Sequence, residues 1–162
     1  MPSPVAARPG RCPLVEFFDR VLLLKRAPVF AEVETDDLRH VARALEEQSF
    51  AAGEQVFRIN ERGDHMYIVV SGRIGISIAP DPREQELIAV LEEGECFGEM
   101  NLLDELPRSA TAHALADSSL LTLEKARLRS LLMSYPAISV GMLRALSLRL
   151  REAHRRSREQ GR

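Results

Sequence analysis

The chain has 162 residues, 45% of them hydrophobic and 28% charged, with a formal net charge of −2. That is enough apolar material for one domain with a real core, and it excludes a disordered or low-complexity polymer. Aromatic residues make up only 5% and there is no Trp, so no stacking platform for single-stranded nucleic acid is indicated, and the net charge of −2 argues against a whole-domain nucleic-acid binder.

Residues 1–13 carry Pro2, Pro4, Pro9 and Pro13 and are expected to be a disordered tail; they lack the apolar stretch of a signal peptide. Residues 14–47 read as an N-terminal helical element. Leu14, Phe17, Phe18, Val21, Leu22 and Leu24 form an apolar stripe from Leu14 to Arg26, stopped by Pro28. Val21–Leu24 is too short to cross a bilayer, so no membrane association is expected. Thr35-Asp36-Asp37 predicts a second helix start, with the hydroxyl as cap and the acids at the positive dipole end. Leu38, Val41, Ala42 and Leu45 then share one face.

From Gln48 the period changes to 2. Strands are expected at Gln48–Phe50, Gln55–Arg58, Met66–Val70, Arg73–Ile78, Glu86–Leu91, Ala110–Ala114 and Ser119–Leu123, with Cys96 in a further approach strand. Turn signals at Ala52-Gly53, Arg62-Gly63-Asp64, Ser71-Gly72, Pro80-Asp81-Pro82 and Glu93-Gly94 separate them. Short strands at this spacing predict a sandwich or barrel with jelly-roll connections over residues 48–123. Cys12 and Cys96 are the only cysteines and read as reduced thiols of a cytoplasmic protein.

Within this region, Phe97-Gly98-Glu99-Met100-Asn101-Leu102-Leu103-Asp104-Glu105-Leu106-Pro107-Arg108-Ser109-Ala110-Thr111 is too interrupted for an ordinary helix and too apolar for a free loop. A short helical turn could present its first amides to an anion, and Arg108 offers a planar fork for phosphate. Glu99 repels phosphate but can accept from hydroxyls, so phosphate plus vicinal hydroxyl describes a nucleotide. Taken alone, Arg108 could instead pair with Asp104 or Glu105, and Glu99 could tether a loop or pair with Arg108.

Residues 97–111 resemble the phosphate-binding cassette of the cyclic nucleotide-binding domain family. Gly53-Glu54-x-Val56-Phe57 and Gly63-Asp64-x-Met66-Tyr67-Ile68-Val69-x-Ser71-Gly72-x-Ile74 are similar to the first half of that family's barrel. The resemblance covers residues 28 to 155. It implies a mainly β fold with flanking helices (α+β): an eight-stranded jelly-roll β-barrel, N-terminal helices, a cassette helix and two C-terminal helices. It implies further that Glu99 accepts from the ribose 2′-hydroxyl and that Arg108 pairs with the cyclic phosphate. The amides after Gly98 and around Arg108, at Ser109 and Ala110, complete the cradle, so the expected ligand-binding set also takes in Phe97, Met100 and Asn101. Asn101 departs from the small residue usual there; it could donate its amide to the phosphate, point outward or crowd the site. Ser109 leans towards cAMP, with cGMP as the alternative.

Residues 124–158 return to a helical period. Lys125–Tyr135 carries Leu128, Leu131 and Leu132, Pro136 ends or kinks it, and Ala137–Arg158 makes a long final helix with one face expected on the barrel. Its apolar residues exceed one narrow stripe, which suggests a partner protein or a homodimer through this helix. The basic run from Arg149 to Arg158 suits a helix C-terminus, and Arg149 or Arg151 is a candidate lid over the base. His40, His65, His113 and His154 are scattered singly, no nucleophile has a base at hand, and no helix-turn-helix is expected after the final helix. The expectation is therefore a non-enzymatic cyclic nucleotide sensor without metal or cofactor. Leu102 and Leu103 would pass its conformational change to the C-terminal helices. The alternative is an interaction or dimerisation module with a degenerate nucleotide site.

Overall fold

The computed structural model describes residues 15–79 and 86–161. The expected tail at 1–13 with Cys12, the helix start at Leu14 and the Pro80-Asp81-Pro82 turn lie outside them.

Helix α1, Phe17–Arg26, ends because Ala27, ahead of Pro28, is driven into the extended region at φ −70°, ψ 124°. Pro28–Phe30 then makes a single 3₁₀ turn that buries Val29 and Phe30. Helix α2, Thr35–Ala44, begins where expected, but Thr35 is its first helical residue and Glu34 holds the cap position without a side-chain bond. Asp36 and Asp37 alone supply the favourable first-turn charge.

Among the described residues eight strands follow: β1 Glu46–Phe50, β2 Gln55–Phe57, β3 His65–Ser71, β4 Ile74–Ser77, β5 Leu87–Leu91, β6 Cys96–Phe97, β7 Thr111–Ala114 and β8 Ser118–Glu124. They form two four-stranded sheets, β1-β8-β3-β6 and β2-β7-β4-β5, with every described pairing antiparallel. Strand β6 is only two residues long, too short to show alternation by itself. It exists because Tyr67 and Ile68 of β3 pair with Phe97 and Cys96.

Alternation along β3 and β8 divides two cores. Met66, Ile68, Leu121 and Leu123 face the helices and pack with Leu24, Phe30, Leu38, Leu128 and Ile138. Tyr67, Val69 and Leu120 face the barrel interior with Phe50, Ile74, Phe97, Ala112 and Ala114. Both faces of these two strands are covered, so they read as nearly continuous apolar runs.

Helix α3, Lys125–Ser134, and α4, Pro136–Gln160, meet at Tyr135, where the chain bends by 113°. Pro136 does more than end α3: it opens α4 at a position that needs no N–H. The Tyr135 ring stacks on His40 of α2 with centroids 3.7 Å apart. Helix α4 buries Ile138, Gly141, Met142 and Ala145, chiefly against the Pro28–Phe30 turn and α3. The α4 face expected on the barrel enters the core it shares with the barrel's outer face, where Ile138 and Met142 join Met66, Ile68, Leu121 and Leu123, and α4 is exposed from Leu146 onward.

Two stability outcomes follow from this packing. A Cβ on Gly141 would lie 2.8 Å from Val33 Cα and 3.0 Å from Glu32 O, which are backbone atoms that cannot swing away. Gly141→Ala gains about 1 kcal/mol of helix propensity but costs ~1–3 kcal/mol of overpacking against fixed backbone. Urea denaturation is expected to show net destabilisation, and equal or greater stability would refute the close contact. His113, buried on β7, has its pKa pushed below the usual 6.5 by burial. The unfolded chain therefore binds protons first, so stability falls as pH drops below 6.5 and levels off at the lower folded pKa. Thermal unfolding between pH 7.5 and 5.5 should show this slope, and His113→Gln should flatten it.

Candidate functional site

The cassette begins with Gly98 at φ 73°, a left-handed conformation that turns the chain from β6 into a single 3₁₀ turn, Glu99–Leu102. The following loop returns to the barrel through a bridge between Pro107 and Arg62. The backbone of Arg108 is then fixed on both sides by the β2–β3 loop: its N–H donates to Glu61 O at 2.8 Å, and its carbonyl accepts from Asn60 N at 2.9 Å. Asn60 takes φ 69° to make this turn, a conformation asparagine tolerates better than most residues.

The Arg108 side chain runs inward and is only 4% exposed. Its Nη2 donates to His65 O at 2.8 Å, and its Nη1 donates to Asn101 Oδ1 at 3.0 Å and, more weakly, to Gly98 O at 3.4 Å. The guanidinium lies over Phe57, 4.0 Å from the ring centroid, with Tyr67 at 5.9 Å. Tyr67 stacks on its cross-strand partner Phe97 at 5.1 Å, and Phe57 tilts against both rings. Gly63 leaves the remaining space: a Cβ there would sit 2.3 Å from Nε.

No carboxylate lies within ion-pair distance of Arg108 among the described residues. Asp104 caps Leu106 N, while Glu105 pairs with Lys125 at 2.9 Å and Arg62 at 3.8 Å. The surface-pair alternative for Arg108 is thus not the one the fold adopts. Burial pushes the arginine pKa down, opposed by Tyr67, Asp64 and Glu61, yet arginine stays charged at any ordinary pH. Nε has no partner and Nη2 has one acceptor for its two protons, so the fork retains donors. A buried cation held by neutral groups with donors to spare suits an oxyanion.

Glu99 is half-buried at the start of the 3₁₀ turn, and its carboxylate makes neither a hydrogen bond nor an ion pair among the described residues. It does not tether a loop and does not pair with Arg108. Its charge reaches Cys96, whose thiol is pushed up to about 12 by burial and then by Glu99, with Arg149 opposing. Arg149 of α4 is itself exposed.

The other expected residues divide. Phe97 is buried in the barrel core, Met100 is 63% exposed, Ser109 is exposed and Ala110 half-buried. Asn101 neither points outward nor offers its amide outward: it is 6% exposed, and its Nδ2 donates to Leu106 O at 2.6 Å. Leu102 enters the helical core that holds Leu128 of α3, with Leu131 and Leu132 at its edge, whereas Leu103 is 45% exposed and lies outside that core. Lys125, the first residue of α3, holds the cassette loop through Asp104 O and Glu105, and its N–H donates to Asp64 O at 2.7 Å. Phe57, Gly63, His65 and Lys125 were not among the expected site residues. Inward alternation on β3 marks Tyr67, but no local pattern marks a carbonyl such as that of His65. Among the described residues no group of three His, Cys, Asp or Glu could hold a metal, and no single helix is long and apolar enough to cross a membrane.

Residues 47–135 match the model of the cyclic nucleotide-binding domain. A CRP-like cAMP-activated global transcriptional regulator of Mycobacterium tuberculosis is 33% identical over 133 residues, 82% of this chain and 59% of the regulator. The N-terminal domain of a transcriptional regulator from Streptomyces coelicolor superposes with TM-score 0.74 at 31% identity, covering 83% of this chain and 94% of that one. The regulatory domain of Toxoplasma gondii PKA with cAMP superposes with TM-score 0.65 at 26% identity, over 71% of this chain and 44% of that one. The chain thus spans about three fifths of the length of the curated regulator it matches. With a two-sheet jelly roll, a glycine-led cassette and a buried arginine behind it, the chain belongs to the cyclic nucleotide-binding domain family.

Proposed function

We propose that this domain is a cyclic nucleotide sensor that takes cAMP, with cGMP as the alternative, and acts through its C-terminal helices. The observation that carries this reading is Arg108: a buried guanidinium with spare donors and no carboxylate partner among the described residues. A cyclic phosphate supplies the missing charge, and Glu99, uncommitted to any neighbour, accepts from a ribose hydroxyl. In this reading the amides at Gly98, Ser109 and Ala110 complete the cradle, and Arg149 or Arg151 of α4 serves as the lid over the base.

The signal travels by a population shift, in proportion to how much better the ligand binds one arrangement than another. Leu102 is the apolar link from cassette to α3, and Lys125 is the polar one. Tyr135, at the bend between α3 and α4, is the natural place for the helices to reorient. The output is a partner protein or self-association, for which Val140, Leu143 and Leu150 leave apolar surface on α4. The reading includes no catalytic step, and it includes a cytoplasmic setting, in keeping with the free thiol of Cys96.

Calorimetric titration with cAMP and with cGMP tests the reading directly; no heat and no thermal shift at millimolar ligand would remove it. Arg108→Ala is expected to lose about 2–5 kcal/mol of nucleotide binding, because a buried phosphate loses its charge partner. Gly63→Ala removes no ligand-facing side chain, yet should weaken binding at least about tenfold by displacing the Arg108 fork. Wild-type affinity in either variant would show that Arg108 is not the phosphate partner.

A further inference from the structure

The Asn101 side chain is hydrogen-bonded at both ends of its amide within the cassette. Its Oδ1 accepts from Arg108 Nη1 at 3.0 Å, and its Nδ2 donates to Leu106 O at 2.6 Å. The amide orientation is dictated by its neighbours, since the opposite one would set an NH₂ against the guanidinium and an oxygen against a carbonyl. At 6% exposure there is little water to replace either bond. Of the three acceptors on Arg108, two are backbone carbonyls, from His65 and Gly98, and the latter is long at 3.4 Å. Among the described residues, Asn101 is therefore the one side chain that hydrogen-bonds the fork.

We infer that Asn101 is a positioning residue for the anion site: it acts through Arg108 and does not itself contact the ligand. Resting on the cyclic nucleotide reading, this assigns the asparagine two linked tasks. Its oxygen immobilises Nη1, so that the Nε and Nη2 donors keep one direction. Its NH₂ fastens the 3₁₀ turn to Leu106, two residues ahead of Arg108 and one after Glu105, which Lys125 grips from α3. A small residue at this position leaves the fork to backbone carbonyls alone; a neutral amide adds a bond without adding a counter-charge that would compete with phosphate. A carboxylate at the same place would compete.

The test has a ligand-free arm and a ligand arm. In the ligand-free protein, nitrogen NMR of arginine side chains should show slow rotation of the Arg108 guanidinium, and Asn101→Ala should release it while the backbone spectrum is retained. Equal restriction in parent and variant overturns the inference. In the ligand arm, Asn101→Ala should weaken cAMP binding about tenfold to a hundredfold, as for a lost bond to a charged group. Asn101→Asp should weaken it further at neutral pH and recover in part as the new carboxylate is protonated. In an Arg108→Lys background the Asn101→Ala penalty should shrink to within about twofold, the error of additivity. An undiminished penalty there means that Asn101 acts on the ligand or the fold independently of Arg108, and the inference falls. If the parent binds no cyclic nucleotide, the sensor reading fails, and the NMR arm still decides whether Asn101 positions the arginine.

Discussion

The structure turns on a buried cation. Arg108 is taken almost wholly out of water and is met by carbonyls, an amide oxygen and two aromatic faces. Neutral acceptors offset part of the desolvation cost without cancelling the charge, whereas a carboxylate would have cancelled it. The acids nearest in sequence are drawn elsewhere: Glu105 to Lys125 and Arg62, Asp104 to the Leu106 amide. That segregation keeps the site's positive charge available. Glu99, on the same turn, keeps its own charge available as well.

The barrel supplies rigidity for this arrangement from three directions. The β2–β3 loop holds the Arg108 backbone, β3 supplies the His65 carbonyl and Tyr67, and β6 supplies Phe97 and the turn at Gly98. On the other side of β3 and β8 lies the helical core, which Leu102 enters from the cassette. The two cores meet back to back across the same strands. A change at the arginine is therefore only one strand's thickness from the helices that would report it.

Much of this is legible along the chain. Alternation marks the long strands, the prolines and acids mark the helix starts, and Gly98, Glu99 and Arg108 stand at spacings that identify the family. Other features are not legible, for identifiable reasons. Strand β6 is too short to carry a period and is defined by its partner. Thr35 and Leu103 look like a cap and a transmitter because both are of the right residue type. Their roles depend on a backbone angle in one case and a side-chain direction in the other. Asn101 looks like an intruder at a crowded place, because its type says nothing of which way its amide faces.

The sequence by itself determined the jelly-roll class, the position of the cassette and the residue types that meet an anion, since periodicity and local chemistry are properties of neighbouring residues. Only the tertiary structure decided what surrounds Arg108: the carbonyl of His65, the ring of Phe57, the space left by Gly63 and the oxygen of Asn101. It also decided that α4 rests chiefly on the Pro28–Phe30 turn and α3. These are contacts between segments far apart in the chain. Their geometry follows from how two sheets and four helices pack, which no local pattern encodes.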